Sequence, residues 1–140
     1  LSADEIVNGD KINIVVPTGN FGNILAAYYA KKMGLPVNRF ICASNKNNVL
    51  TDFINTGVYN KNREFHTTIS PSMDILISSN LERLLYDISG GNDEEIAGLM
   101  TALNKEGTYK VPEHIGKKIS EYFEAGCADD EKTMATIRDC

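Results

Sequence analysis

Between residues 11 and 34 the apolar spacing changes period across a glycine-containing loop, and this change limits the possible folds more than any other feature. Lys11-Ile12-Asn13-Ile14-Val15-Val16-Pro17 is a short β-branched run ending at proline, the pattern of a strand buried on both faces of a parallel sheet. From Asn23 to Met33 the apolar residues are Ile24, Leu25, Tyr28, Tyr29 and Met33, which fall along one side of a helix. Gly34 stops this helix and Pro36 confirms the stop. Arg39-Phe40-Ile41-Cys42-Ala43 reads as a second buried strand, and Val49, Leu50, Phe53 and Ile54 as a second helix ending at Gly57. The order β-α-β-α predicts a right-handed crossover in an α/β fold: a three-layer, doubly wound, mostly parallel sheet with helices on both faces.

Beyond this unit, Phe65, Thr67 and Ile69 alternate over Glu64 to Ile69 and predict a third strand. A helical C-terminal segment follows. Ser79 with Glu82, and Asn92 with Glu95, have the spacing of capping boxes ahead of two apolar stripes. Pro112 suits a first helical residue, and Ile115, Ile119, Tyr122 and Phe123 form the stripe of the next helix before Gly126. Asp129-Asp130-Glu131 suits the start of a last helix electrostatically. At 140 residues the chain fits a single domain, residues 1–140, able to bury roughly two thirds of its unfolded surface.

Composition narrows the classes of partner. A net charge of -5 provides no basic stripe for a nucleic-acid backbone, so DNA and RNA are excluded as expected partners. No run approaches the roughly 20 apolar residues of a membrane helix, and Leu1-Ser2-Ala3-Asp4-Glu5 lacks the regions of a signal peptide. The three cysteines, Cys42, Cys127 and Cys140, are too few and too scattered for a disulfide framework or a CxxC metal site, which suits a reducing cytoplasm. His66 and His114 have no ligand-spaced carboxylate or cysteine, so no metal is expected. The absence of an initiator Met, and a helical spacing that runs through Met134 and Ile137 to Cys140 without a cap, make both ends read as cuts.

Ligands of parallel sheets bind at the carboxyl ends of the strands, which directs attention to Pro17-Thr18-Gly19-Asn20-Phe21-Gly22-Asn23. Two glycines permit unusual turns, and a helix N-terminus presents unpaired N–H donors with partial positive charge, so an anion can be held there without Lys or Arg. The same residues also serve a plain strand-to-helix turn in which Asn23 caps the helix, and the local pattern leaves both readings open. The loop lacks the Lys-Ser/Thr of a nucleotide triphosphate loop and does not match GxGxxG.

Val16 to Ala26, Lys31 to Pro36, Ala43-Ser44-Asn45-Lys46-Asn47-Asn48-Val49-Leu50-Thr51-Asp52-Phe53, Ser70-Pro71-Ser72-Met73-Asp74-Ile75 and Ser79-Asn80-Leu81-Glu82-Arg83-Leu84 together resemble the middle of threonine synthases. These are fold type II pyridoxal-phosphate enzymes, and the likeness runs from about Lys11 to Ile137. The resemblance implies that Gly19, Asn20, Phe21, Gly22 and Asn23 surround the phosphate of pyridoxal 5'-phosphate. It implies a parent lyase that converts O-phosphohomoserine and water into threonine and phosphate, with the cofactor ring as electron sink. In the family a Schiff-base lysine lies well before the glycine loop, and a hydroxyl residue facing the pyridine nitrogen lies well after this region. Neither motif is present, so the fragment is expected to carry no catalytic residue, to be inactive alone, and to need the rest of its own polypeptide.

Lys31, Lys32, Lys46, Lys117 and Lys118 fall on polar helix sides or in loops, unlike a buried nucleophile. Asn45, Asn47 and Asn48 lie at the ligand edge but equally suit turns and helix caps. Ser72 and Asp74 are candidates to face the site, with Met73 and Ile75 in the core. Asn80 and Arg83, one helical turn apart, are candidates for a substrate phosphate. Two other readings remain open: a different fold type II enzyme, such as a serine or threonine dehydratase or a sulfhydrylase, and a flavodoxin-like or regulatory phosphate-binding domain.

Overall fold

The computed structural model describes residues 9–140, so the opening segment weighed above as a leader lies outside the described residues. The elements follow the expected alternation at first: β1 (Ile12–Pro17), α1 (Gly22–Lys32), β2 (Val37–Ser44) and α2 (Val49–Thr56). β1 and β2 pair in parallel, with Val16 opposite Cys42 and Pro17 opposite Ala43. The carboxyl ends of the two strands therefore lie side by side, and each feeds a helix directly. An α/β fold built on a parallel sheet is what the spacing predicts.

The third strand of the sheet is not the predicted one. Residues 64–69 form no strand, and Phe65 and Ile69 are half exposed. Their backbone polar groups are bonded to side chains: His66 N–H donates to Asn47 Oδ1 at 2.9 Å, its carbonyl accepts from Asn47 Nδ2 at 2.8 Å, and Thr68 N–H donates to an Asp74 oxygen at 2.9 Å. Groups satisfied in this way are withdrawn from a β ladder. The place beside β2 is taken instead by β5 (Phe123–Cys127), parallel, in a sheet ordered β1-β2-β5. Phe123 thus leaves the helical stripe assigned to it and opens a strand. A separate antiparallel pair joins β3 (Val58–Asn60) to β4 (Thr108–Lys110).

The helical segment comprises α3 (Leu81–Ile88), α4 (Asp93–Glu106), α5 (Glu113–Tyr122) and α6 (Asp130–Asp139). Asn92 caps α4 by accepting from Glu95 N–H, and Asp129 caps α6 by accepting from Lys132 N–H. The expected Ser79 box is absent: Asn80 is the residue before α3 and makes no capping bond. Pro112 stands one residue before α5 rather than inside it.

Two aromatic groups fix the core. Phe123 packs on Phe21, Tyr28 and Phe40 with ring centroids 5.4–5.9 Å apart, and Tyr59 stacks on Tyr109 at 5.3 Å beside Phe53. Such pairs contribute about 0.5–1.5 kcal/mol each beyond their buried area. The stripe of α1 is narrower than its apolar residues suggest, since Ile24, Leu25 and Tyr28 are buried while Tyr29 and Met33 are exposed. Likewise β1, read as buried on both faces, alternates between partly buried and exposed residues, and Val15 is 60% exposed.

Candidate functional site

The loop between β1 and α1 is held by its own carbonyl groups. Thr18 N–H continues the strand pairing by donating to Ala43 at 2.8 Å, and its buried hydroxyl turns back to Val16. Gly19 C=O accepts from the Ser78 hydroxyl at 2.9 Å. Asn20 C=O accepts from both Asn80 N–H at 3.1 Å and Asn80 Nδ2 at 2.9 Å. In a trans peptide the C=O and the following N–H point in opposite directions, so the N–H groups of Asn20 and Phe21 face away from residues 78–80.

Phe21 completes the turn. It is the one non-glycine residue with positive φ among those described, at φ 61 and ψ 12, and its ring is 1% exposed against Phe123. A bulky residue in this region is strained and persists where its surroundings fix it; here the buried ring does so. Phe21 is the residue before α1, Asn23 lies inside the first turn, and no side chain caps the helix. The capping role considered for Asn23 is therefore not adopted. The first bond of the helix runs from Leu25 N–H to Phe21 C=O at 3.1 Å, and the N–H groups of residues 19–24 have no acceptor among the described residues.

These groups border a recess of about 320 Å³ lined by residues 16–24 with Ser72 and Met73. No Asp, Glu, Lys, Arg or His lines it, while Thr18, Asn20, Asn23 and Ser72 do, so its polarity comes from uncharged groups: backbone N–H donors, the N-terminus of α1 and these side chains. The two glycines differ in their reasons for being there. A Cβ on Gly19 would lie 3.1 Å from the Ser72 carbonyl oxygen and 3.4 Å from Met73 Cα, so close backbone approach demands glycine. A Cβ on Gly22 would meet only Asn80 Nδ2, at an ordinary 3.6 Å, and its φ is not positive. Nothing among the described residues requires glycine there.

The other candidate residues divide. Ser72 borders the recess, with Met73 beside it rather than in the core; Ile75 is also only partly buried. Asp74 points elsewhere: its carboxylate accepts from Asn45 Nδ2 at 2.7 Å, Asn47 Nδ2 at 2.9 Å, Thr68 Oγ1 at 2.7 Å and Thr68 N–H. The Thr68 N–H above all holds this carboxyl below its usual range, with the hydroxyl and the two amides adding to the effect. Asn45 and Asn47 are buried and brace residues 66–74, while Asn48 precedes α2 and accepts from Arg63 Nη1. Asn80 and Arg83 bond to each other through Asn80 Oδ1 and Arg83 Nη1.

Lys31, Lys32, Lys117 and Lys118 are engaged with Val37 C=O, Asp87, Glu113 and Ile88 C=O respectively, and Lys46 borders a different hollow beside His66. His114 sits 3.4 Å from Glu95. The described residues contain no group of three or more His, Cys, Asp or Glu side chains placed to hold a metal. Sequence reasoning missed Ser78, which bonds the Gly19 carbonyl, and Tyr59, whose hydroxyl accepts from Ser78 N–H, because these contacts are long-range and leave no local pattern.

No protein-family profile matches the sequence. Individual proteins do. Threonine synthase of Eremothecium gossypii is 39% identical over 137 residues, covering 91% of this chain and 27% of the relative. Human threonine synthase-like 1 is 43% identical over 130 residues, covering 92% of this chain and 18% of the relative. The crystal structure of threonine synthase from Brucella melitensis with pyridoxal phosphate bound superposes with a TM-score of 0.92 at 40% identity, over 97% of this chain and 29% of that one. The chain belongs to the threonine synthase family. It spans little more than a quarter, or less, of the length of these relatives. The TM-score covers the parallel sheet and its helices, so the recess described above sits on a threonine synthase framework.

Proposed function

We propose that residues 19–23 cradle the phosphate of pyridoxal 5'-phosphate, and that the chain supplies this part of a threonine synthase active centre. The carrying observation is the row of N–H groups from residue 19 to residue 24, without acceptors among the described residues and bordering one recess at a helix start. The donor set suits a phosphate, since the recess has neither a carboxylate to repel it nor a Cβ on Gly22 to fill it. When bound, the cofactor supplies an electron sink for carbanion chemistry. The chain's own part is to hold the phosphate end and so orient the ring toward groups outside these residues.

Magnitudes favour weak binding by the chain alone. Three N–H bonds to a charged group contribute roughly 5–9 kcal/mol in total, and the helix end adds about 0.3–2 kcal/mol. Association itself costs about 4–15 kcal/mol, a cost as large as the whole gain, so binding in the millimolar range or weaker is expected. Tight binding needs the remaining polypeptide with its Schiff-base lysine. The half-exposed face of β1, with Val15 outward, suits contact with that polypeptide. On this reading the complete protein is a cytoplasmic lyase acting on O-phosphohomoserine, and the three free cysteines accord with a reducing compartment.

Adding pyridoxal phosphate to the isotopically labelled chain tests the cradle. Amide resonances of residues 19–24 are expected to shift together and to saturate in the millimolar range or above. Shifts confined to other residues, or none at all, would exclude the proposed site.

A further inference from the structure

The cradle depends on which way two peptide planes face, and residues outside the glycine loop set that direction. Gly19 is followed by a residue free to rotate about the intervening bonds, and glycine itself imposes little preference. Rotating the 19–20 or 20–21 plane by half a turn would exchange N–H for C=O at the recess, reversing the local dipole and repelling an anion. The structure opposes both rotations with a clasp. The Ser78 hydroxyl holds the Gly19 carbonyl, and Asn80 holds the Asn20 carbonyl with two donors.

The clasp is itself oriented. A guanidinium can only donate, so the bond between Arg83 Nη1 and Asn80 Oδ1 fixes the amide with its Nδ2 toward Asn20. Ser78 is 7% exposed, and its N–H donates to the Tyr59 hydroxyl at 2.9 Å, which in turn donates to Leu76 C=O at 3.0 Å. Tyr59 is anchored by its stack on Tyr109. A continuous path of named bonds therefore links the second aromatic group to the loop carbonyls, and none of residues 78–80 borders the recess.

We infer that Ser78 and Asn80 are positioning residues that keep the Asn20 and Phe21 N–H groups turned toward a bound phosphate, with Arg83 and Tyr59 orienting them. This rests on the reading of the loop as a phosphate cradle. On this inference Arg83 acts by orienting the Asn80 amide.

The test uses the labelled chain and its Ser78→Ala, Asn80→Ala and Ser78→Thr variants, titrated with inorganic phosphate and followed by amide resonances. Each alanine variant is expected to weaken phosphate binding about tenfold, the equivalent of one lost charged hydrogen bond. Ser78→Thr, which keeps the hydroxyl donor, is expected to restore it. Before any phosphate is added, the Asn20 and Phe21 amides of the alanine variants should broaden as their planes exchange between two orientations, while β2 and α3 amides stay in place. Unchanged affinity in both alanine variants overturns the clasp and leaves the cradle standing. If the unaltered chain shows no phosphate shift, the cradle reading fails; the phosphate-free spectra then decide the clasp, which sharp, unmoved Asn20 and Phe21 signals in both alanine variants would overturn.

Discussion

Adding one methyl group at Gly22, and separately at Gly19, distinguishes a ligand cradle from an ordinary turn. A Cβ at Gly22 lies 3.6 Å from Asn80 Nδ2, with nothing else within 4 Å, at a φ outside the positive range and inside the first turn of α1. No clash is introduced, and alanine is favoured over glycine in a helix by about 0.5–1 kcal/mol. Gly22→Ala should therefore leave stability unchanged or raise it by up to that amount. At Gly19 the added Cβ would meet the Ser72 carbonyl oxygen at 3.1 Å and Met73 Cα at 3.4 Å, both backbone. Displacing packed backbone falls in the overpacking range, about 1–3 kcal/mol. The assay is urea unfolding of both variants beside the unaltered chain, paired with pyridoxal phosphate titration. Gly22→Ala is expected to keep the unfolding midpoint and lose affinity, because its methyl group occupies the space at the helix end. A Gly22→Ala chain that binds pyridoxal phosphate as well as the unaltered one would refute the argument that this glycine serves a ligand. A Gly19→Ala chain of full stability would refute the close-approach argument.

Phe123→Ala should cost about 3–5 kcal/mol, since its 2% exposed ring joins Phe21, Tyr28 and Phe40; unchanged thermal unfolding would contradict the placement of β5 in the core. Asp74→Asn should lower the melting temperature at neutral pH. The folded-state pKa of Asp74 is depressed, so its contribution is present above the ordinary carboxylate range and is lost as pH falls through the lower folded value; melting curves of the two chains should converge in acid, and a gap that persists there would refute the assignment. Cys127 and Cys140 are exposed, while Cys42 is buried with its thiol pushed up to about 11, chiefly by burial. A colorimetric thiol reagent should modify the exposed pair quickly and Cys42 only on unfolding. No lysine lines the recess, so the chain alone should release no phosphate from O-phosphohomoserine, and release would contradict the need for further polypeptide.

The parts of the fold readable from sequence are those whose signals are local. The change of period at residues 17–23 set β1, the loop and α1 in order because strand and helix each bury a contiguous face. Asn92 was readable as a cap because a capping bond spans only three residues, whereas Asp129 was readable only as favourable charge at a helix start and also caps α6. β5 was not, because Phe123-Glu124-Ala125-Gly126-Cys127 has no β-branched residue and forms a strand only through pairing with β2, some eighty positions earlier. Residues 64–69 alternate like a strand, yet Asn47 and Asp74 take up their backbone bonds. At the site, the glycines could be read from the sequence, but their different causes could not. Gly19 answers to Ser72 and Met73, more than fifty residues away, and the direction of the loop N–H groups answers to Ser78 and Asn80.

A structure determined with pyridoxal phosphate bound tests the central claim most directly. The account predicts phosphate oxygens about 2.7–2.9 Å from backbone nitrogens between residues 19 and 24, the range of charge-assisted bonds, with the Gly19 and Asn20 carbonyls still held by Ser78 and Asn80. A phosphate seated instead in the hollow between Tyr29, Arg83 and Met100, or facing loop carbonyls, would contradict it.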